Sequence, residues 1–140
     1  MSTNKYTEIN VRARYADLLQ VSRWLDGQTQ TTSLSPRIVS KIQLVVEELF
    51  TNSVDHGYRL ECDLPIRVSC LWEEPVFTIF YADQAPGFNP CEDSDNPAQF
   101  EDSLGGNGLQ LIRKLPNSIE YRHEDSWNHI TVSFAAPNNA

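Results

Sequence analysis

Basic side chains are scarce in this chain of 140 residues: eleven Lys and Arg stand against nineteen Asp and Glu, a formal net charge of −8. That balance opposes non-specific attraction to phosphate backbones and anionic lipid, and no local basic patch offsets it, so neither nucleic acid nor membrane is an expected partner. Cysteine is scarcer still. Cys62, Cys70 and Cys91 are odd in number and lack metal-ligand spacing, which fits reduced thiols and excludes a disulfide framework. No apolar run approaches a membrane span, and Met1-Ser2-Thr3-Asn4-Lys5 lacks a signal peptide's apolar region, so a cytoplasmic protein is expected. Repeats and linkers are also missing, and residues 1–140 are expected to form one domain.

What is present centres on Pro36 to Tyr58. Ser35 can cap, Pro36 suits the first helical position, and Ile38, Ile42, Val45, Leu49 and Ser53 recur at helical spacing until Gly57 supplies a stop. This predicts one helix of about five turns. With Leu49 at the middle of the apolar stripe, Asn52 lies about 60° and Glu48 about 100° to one side, while Glu47 falls about 160° away. Glu48 and Asn52 therefore share the rim of the buried face, and Glu47 points into water.

Tyr6 to Val11 alternates as an edge strand does. Tyr15, Leu18, Leu19, Ser22 and Leu25 then follow helical spacing, and a polar loop runs from Gly27 to Ser35. After the central helix, Ile66 to Trp72 and the more apolar Val76 to Ala82 read as strands around a Glu73-Glu74-Pro75 turn. Val76 to Ala82 runs directly into Asp83-Gln84-Ala85-Pro86-Gly87-Phe88, an acid at a strand end followed by a glycine turn. Residues 89–104 lose periodicity and carry Glu92, Asp93, Asp95, Glu101 and Asp102 without a basic residue, as an acidic surface loop or a lid would. Gly105-Gly106-Asn107-Gly108 opens a short helix that Pro116 ends. Ile119 to His123 and His129 to Phe134 then pair across an Asp125-Ser126-Trp127-Asn128 turn. The expected fold is α+β: a two-layer sandwich, with a mixed, mostly antiparallel sheet and three helices on one face.

Glycines opening a helix expose backbone N–H groups where the helix dipole is positive, and leave room for a phosphate. Neither a Walker loop nor a Rossmann fingerprint occurs, so a different nucleotide pocket is implied. The diagnostic pattern is joint: Glu48 and Asn52 on one helix, Asp83 at a strand end, Gly87 after it, then Gly105, Gly106 and Gly108.

At these residues the chain resembles a known family. The stretch from Glu48 through Asn52 and His56 to Tyr58 looks like the N box of the histidine-kinase-like (Bergerat-fold) ATPases, in the form used by anti-sigma-factor serine/threonine kinases. Asp83 to Pro90 is similar to their first glycine box, D-x-G-x-G-F-D-P, and Gly105 to Ile112 resembles their second, G-G-x-G-L-x-L-I. The resemblance covers roughly Ser35 to Phe134. Three positions depart from it: Ala85 replaces a glycine, Asn89 an aspartate, and Leu104 stands where some kinase members carry a basic residue.

The resemblance implies ATP and Mg²⁺ as cofactors, with Asn52 as the metal ligand. It implies that Glu48 is the catalytic base toward a protein serine or threonine, that Asp83 accepts from the adenine amino group, that Gly87 lets the backbone pass close to the base, and that the amides of Gly105, Gly106 and Gly108 hold phosphates. His56 reads as structural, since a histidine suits a helix's last turn through the dipole. Trp24, Trp72 and Trp127 read as packing residues. The implied function is that of a regulatory kinase of transcription, which phosphorylates an antagonist protein, sequesters a sigma factor, or both. The alternative is a non-catalytic partner-switching module with a weak nucleotide site. Apolar residues on both faces of Val76 to Ala82 leave a sheet face for a homodimer.

Overall fold

The computed structural model describes residues 5–86 and 108–137. Five strands form one sheet in the order β1-β2-β3-β5-β4: β1 is Lys5–Arg12, β2 Pro65–Glu73, β3 Val76–Asp83, β4 Ser118–Glu124 and β5 Trp127–Ala135. Every pairing among them is antiparallel, so the expected mixed character is absent among the described residues. The expected edge position of the first strand holds.

Among the described residues three α-helices accompany the sheet: α1, Tyr15–Thr29; α2, Pro36–Asn52; and α3, Gly108–Lys114. The alternation of β2, β3 and β5 sends Ile66, Val68, Trp72, Phe77, Ile79, Tyr81, Ile130, Val132 and Phe134 inward. They form one core with Val21, Leu25, Ile42, Val45, Leu49, Phe50 and Ile112 of the helices. Each such aliphatic or aromatic side chain contributes about 1.5–3 kcal/mol by leaving water.

α1 runs past Gly27, where the sequence reading ends it. Its buried residues, Asp17, Val21, Leu25 and Thr29, recur every four positions, and that row outlasts the glycine. The Thr29 hydroxyl donates back to the Leu25 and Asp26 carbonyls at 3.3 and 3.2 Å. Leu19, counted among the apolar periodic positions, is exposed instead. Gln43 of α2 joins the two helices, donating to the Ser22 carbonyl at 3.1 Å and to Asp26 at 2.9 Å.

The Ser35 hydroxyl caps α2 by accepting from Ile38 N–H at 3.2 Å, and Pro36 succeeds it as expected. The single long helix is not what forms, however. α2 ends at Asn52, and Ser53–Gly57 widens into a π-helical turn closed by Tyr58 N–H to the Ser53 carbonyl at 2.7 Å. Such single turns insert a residue into the helical repeat and re-aim the side chains beyond it. Ser53, Val54 and Gly57 of this turn are buried.

The last hairpin is tighter than expected. Only Asp125 and Ser126 turn, at φ 54° and 69°, the left-handed pair that a two-residue hairpin requires. Trp127 and Asn128 therefore belong to β5, with Asn128 opposite Asp83 of β3.

The second face of the sheet has no helix on it among the described residues. An open groove of about 410 Å³ runs across it, lined among others by Tyr6, Glu8, Arg67, Phe80, Arg122 and His129. The Arg67 guanidinium lies 4.4 Å from the centre of the Trp127 ring there, a cation–π contact.

Candidate functional site

The end of α2 lies over the ends of β3 and β5. Between them is a cleft lined by Leu49, Asn52, Ser53, Gly57, Asp83, Ala85, Asn128 and Ile130, whose floor holds about 20 Å³, room for one water. Asn52 and Asp83, brought together in the sequence only by pattern, share this cleft. Glu48 is half-buried one turn back along α2 and is not among the lining residues, while Glu47 is exposed as helix geometry requires. Burial raises the Glu48 carboxyl above its ordinary value, and the neighbouring charge of Glu47 adds to the rise.

Asp83 is 6% exposed and is the acceptor at the centre of a polar network. Its Oδ1 accepts from Asn128 Nδ2 at 2.8 Å and from Ala85 N–H at 3.2 Å, and its Oδ2 accepts from the Ser53 hydroxyl at 2.5 Å. The Tyr81 hydroxyl lies 2.6 Å from Ser53 Oγ and donates to the Leu49 carbonyl at 3.1 Å. Burial first, then the charge of Asp83, raises the Tyr81 phenol well above its ordinary value, so it remains a donor. A carboxylate offers about four acceptor positions, two on each oxygen. Among the described residues three are filled, and the one left over belongs to Oδ2.

Tyr58 fastens the π turn to the same strand end. Its hydroxyl accepts from Gln84 N–H at 2.7 Å and donates to the Pro65 carbonyl at 2.8 Å. Its phenol is pushed up to about 12, chiefly by burial, with Asp83 raising it further and the Gln84 hydrogen bond opposing.

Ala85, the departure from the glycine box, is 3% exposed and packed against the π turn. Among the described residues its backbone is not one of those at positive φ, so the methyl group imposes no left-handed strain. Space for it comes from Gly57: a Cβ built there would sit 2.8 Å from Ala85 Cβ. Gly57→Ala is therefore expected to cost about 1–3 kcal/mol through overpacking, and the added change Ala85→Gly to recover most of it. Thermal unfolding of the single and double variants measures this; a Gly57→Ala protein as stable as its parent would show the contact to be slack.

Asn52 Nδ2 is buried with no hydrogen-bond partner among the described residues. An orphaned buried donor beside a carboxylate suits a ligand that brings both an acceptor and a donor. Nor do the described residues offer a cluster of three or more His, Cys, Asp or Glu able to hold a metal. A divalent cation at this site would need the Asn52 oxygen together with oxygens brought by a ligand, as Mg²⁺ with a nucleotide does.

Gly108 opens α3 as its spacing predicts, and α3 packs against α2 through the buried Ile112. Gly87, Gly105 and Gly106 lie outside the described residues, as do Asn89, Cys91, Leu104 and the acidic segment. Of the network, the sequence reading places Ser53 on the apolar stripe without a role, and it assigns Asn128 to a turn. The signal for Asn128 is its period of two with Ile130, Val132 and Phe134.

The family model described as a histidine kinase-like ATPase domain matches residues 11–134. Among curated proteins, the chain is 25% identical over 118 residues to the serine/threonine-protein kinase BtrW of Bordetella bronchiseptica, covering 81% of this chain and 83% of that one. It is 27% identical over 94 residues to the anti-sigma F factor of Oceanobacillus iheyensis, covering 64% of each. Among solved structures, that of the RsbU and RsbW domains of Rv1364c from Mycobacterium tuberculosis superposes with a TM-score of 0.68 at 14% identity, over 94% of this chain and 32% of that one. This last likeness establishes a common fold.

Proposed function

Since the chain belongs to the histidine kinase-like ATPase domain family, we propose that it is an ATP-binding regulatory serine/threonine protein kinase of the anti-sigma type. The observation that carries this reading is the buried Asp83 carboxylate, with one acceptor position unfilled among the described residues, beside Asn52 Nδ2, which has no partner among them. A base with an exocyclic amino group supplies the donor that Asp83 lacks. The names of the two curated relatives, a serine/threonine kinase and an anti-sigma factor, support the same activity class.

In this reading ATP enters the cleft with its adenine amino group on Asp83. Asn52 Oδ1 would hold Mg²⁺, whose bound charge offsets that of the phosphates. Gly87 would let the chain pass close to the base, and the amides of Gly105, Gly106 and Gly108 would face the phosphates. Glu48 takes the proton of a serine or threonine hydroxyl on an antagonist protein. That oxygen bonds to the γ-phosphorus, the bond to the bridging oxygen breaks, and ADP leaves. A sigma factor is the second proposed partner, the cytoplasm the proposed location, and one domain the proposed extent of the chain. A second copy would meet the first across the groove on the open sheet face.

Titration of ATP and GTP with and without Mg²⁺, on the parent and on Asn52→Ala, tests the site. ATP should bind more tightly than GTP, and Mg²⁺ should tighten ATP binding in the parent and much less in Asn52→Ala. Equal responses to Mg²⁺ would remove Asn52 from the metal site. If the parent binds no nucleotide yet captures a sigma factor, the chain is a binding module and the kinase reading fails.

A further inference from the structure

The β-sheet register sets Asn128 of β5 opposite Asp83 of β3 and His123 of β4 opposite Asn128, which places a carboxamide at 4% exposure between the cleft and the protein surface. Its Nδ2 makes two hydrogen bonds on the cleft side, to Asp83 Oδ1 and to the Ala85 carbonyl, both at 2.8 Å. Its Oδ1 makes two on the far side, accepting from the Tyr121 hydroxyl at 2.7 Å and lying 2.9 Å from His123 Nδ1. The orientation of this amide is fixed by chemistry. A flipped amide would set Oδ1 against a carboxylate and a carbonyl, three acceptors in contact.

We propose that Asn128 is the positioning residue that sets base preference: by filling Oδ1 of Asp83, it holds the carboxylate in the one rotation that aims the spare acceptor of Oδ2 into the cleft. Asn128 acts through Asp83 and touches no reacting atom. The inference rests on the ATP reading above and deepens it. A pinned carboxylate accepts from a 6-amino group and repels a 6-oxo group, because it cannot turn away. Ser53 and Ala85 N–H remain when Asn128 is removed, yet Ala85 N–H is the longer bond at 3.2 Å, and a carboxylate freed on that side can rotate or admit water. Discrimination between the two bases then falls, although both still fit.

The test compares ATP with inosine triphosphate, which differs at the base by a 6-oxo group in place of the 6-amino group. Affinities for both are measured on the parent, Asn128→Ala, Asn128→Leu and Tyr121→Phe, alongside each thermal midpoint. The parent should prefer ATP. In Asn128→Ala and in the similarly sized Asn128→Leu, neither of which can donate, the ATP-to-inosine ratio should fall about tenfold or more, the worth of a buried hydrogen bond to a charged group. Tyr121→Phe, which only loosens the amide from behind, should lower the ratio less, and it carries the test should the Asn128 variants fail to fold. A purely structural role would weaken both nucleotides alike, so a ratio equal to the parent's in folded variants overturns the proposal while leaving ATP binding intact. A parent that binds neither nucleotide overturns the functional reading itself.

Discussion

Glu48→Gln is expected to lower transfer of labelled phosphate to an antagonist protein by on the order of a hundredfold or more, with ATP affinity nearly unchanged. The glutamine keeps the shape of the side chain and loses only its capacity to take the hydroxyl proton. Glu47→Gln makes the same chemical change one residue earlier, on the exposed side of α2, and should retain transfer. The two variants also differ in pH dependence. Glu48 acts as a base when deprotonated, so the rate should fall as pH drops through its raised value. The charge of Glu47 is one cause of that rise, so Glu47→Gln should move the acid limb to lower pH. Rates measured across pH on parent and both variants decide the matter. Full transfer by Glu48→Gln would mean that the base is another group.

Asp83→Asn should weaken ATP by about tenfold or more and also lower the thermal midpoint by several degrees, the equivalent of about 1–3 kcal/mol. Oδ1 faces two donors, Asn128 Nδ2 and Ala85 N–H, so the new amide is driven to keep its oxygen there and to put its NH₂ at the Oδ2 position. There it meets the Ser53 hydroxyl, which must give up its donation, and replaces the spare acceptor with a donor. Adenine's amino group is then opposed by another N–H. Inosine triphosphate, with an acceptor at that position, should lose less. Calorimetric titration and thermal unfolding read the two effects separately, and an unchanged ATP affinity would place the base elsewhere.

Much of this arrangement is legible in the sequence because period and composition report burial directly. Leu49 and its helical neighbours mark the inward face of α2, and with it the exposure of Glu47; the apolar Val76 to Ala82 places Asp83 at a strand end. What escapes is set by tertiary contact. Helical spacing cannot distinguish a last α turn from a π turn, and only the packing of Gly57 on Ala85 shows why the wider turn fits. The two-residue Asp125-Ser126 turn lacks the glycine that usually marks left-handed backbone, so the sequence suggests a four-residue turn and leaves Asn128 outside β5. Sequence order says nothing of the register that sets Asn128 against Asp83 across two strands 45 residues apart.

The sheet's two outermost strands, β1 and β4, bear on how copies of the protein can associate. The exposed positions of β1 include Glu8, Asn10 and Arg12, and those of β4 include Glu120, Arg122 and Glu124. A strand from another molecule that tried to lengthen the sheet sideways would have to pair alongside these solvated charges, an arrangement that resists edge-to-edge growth into fibrils.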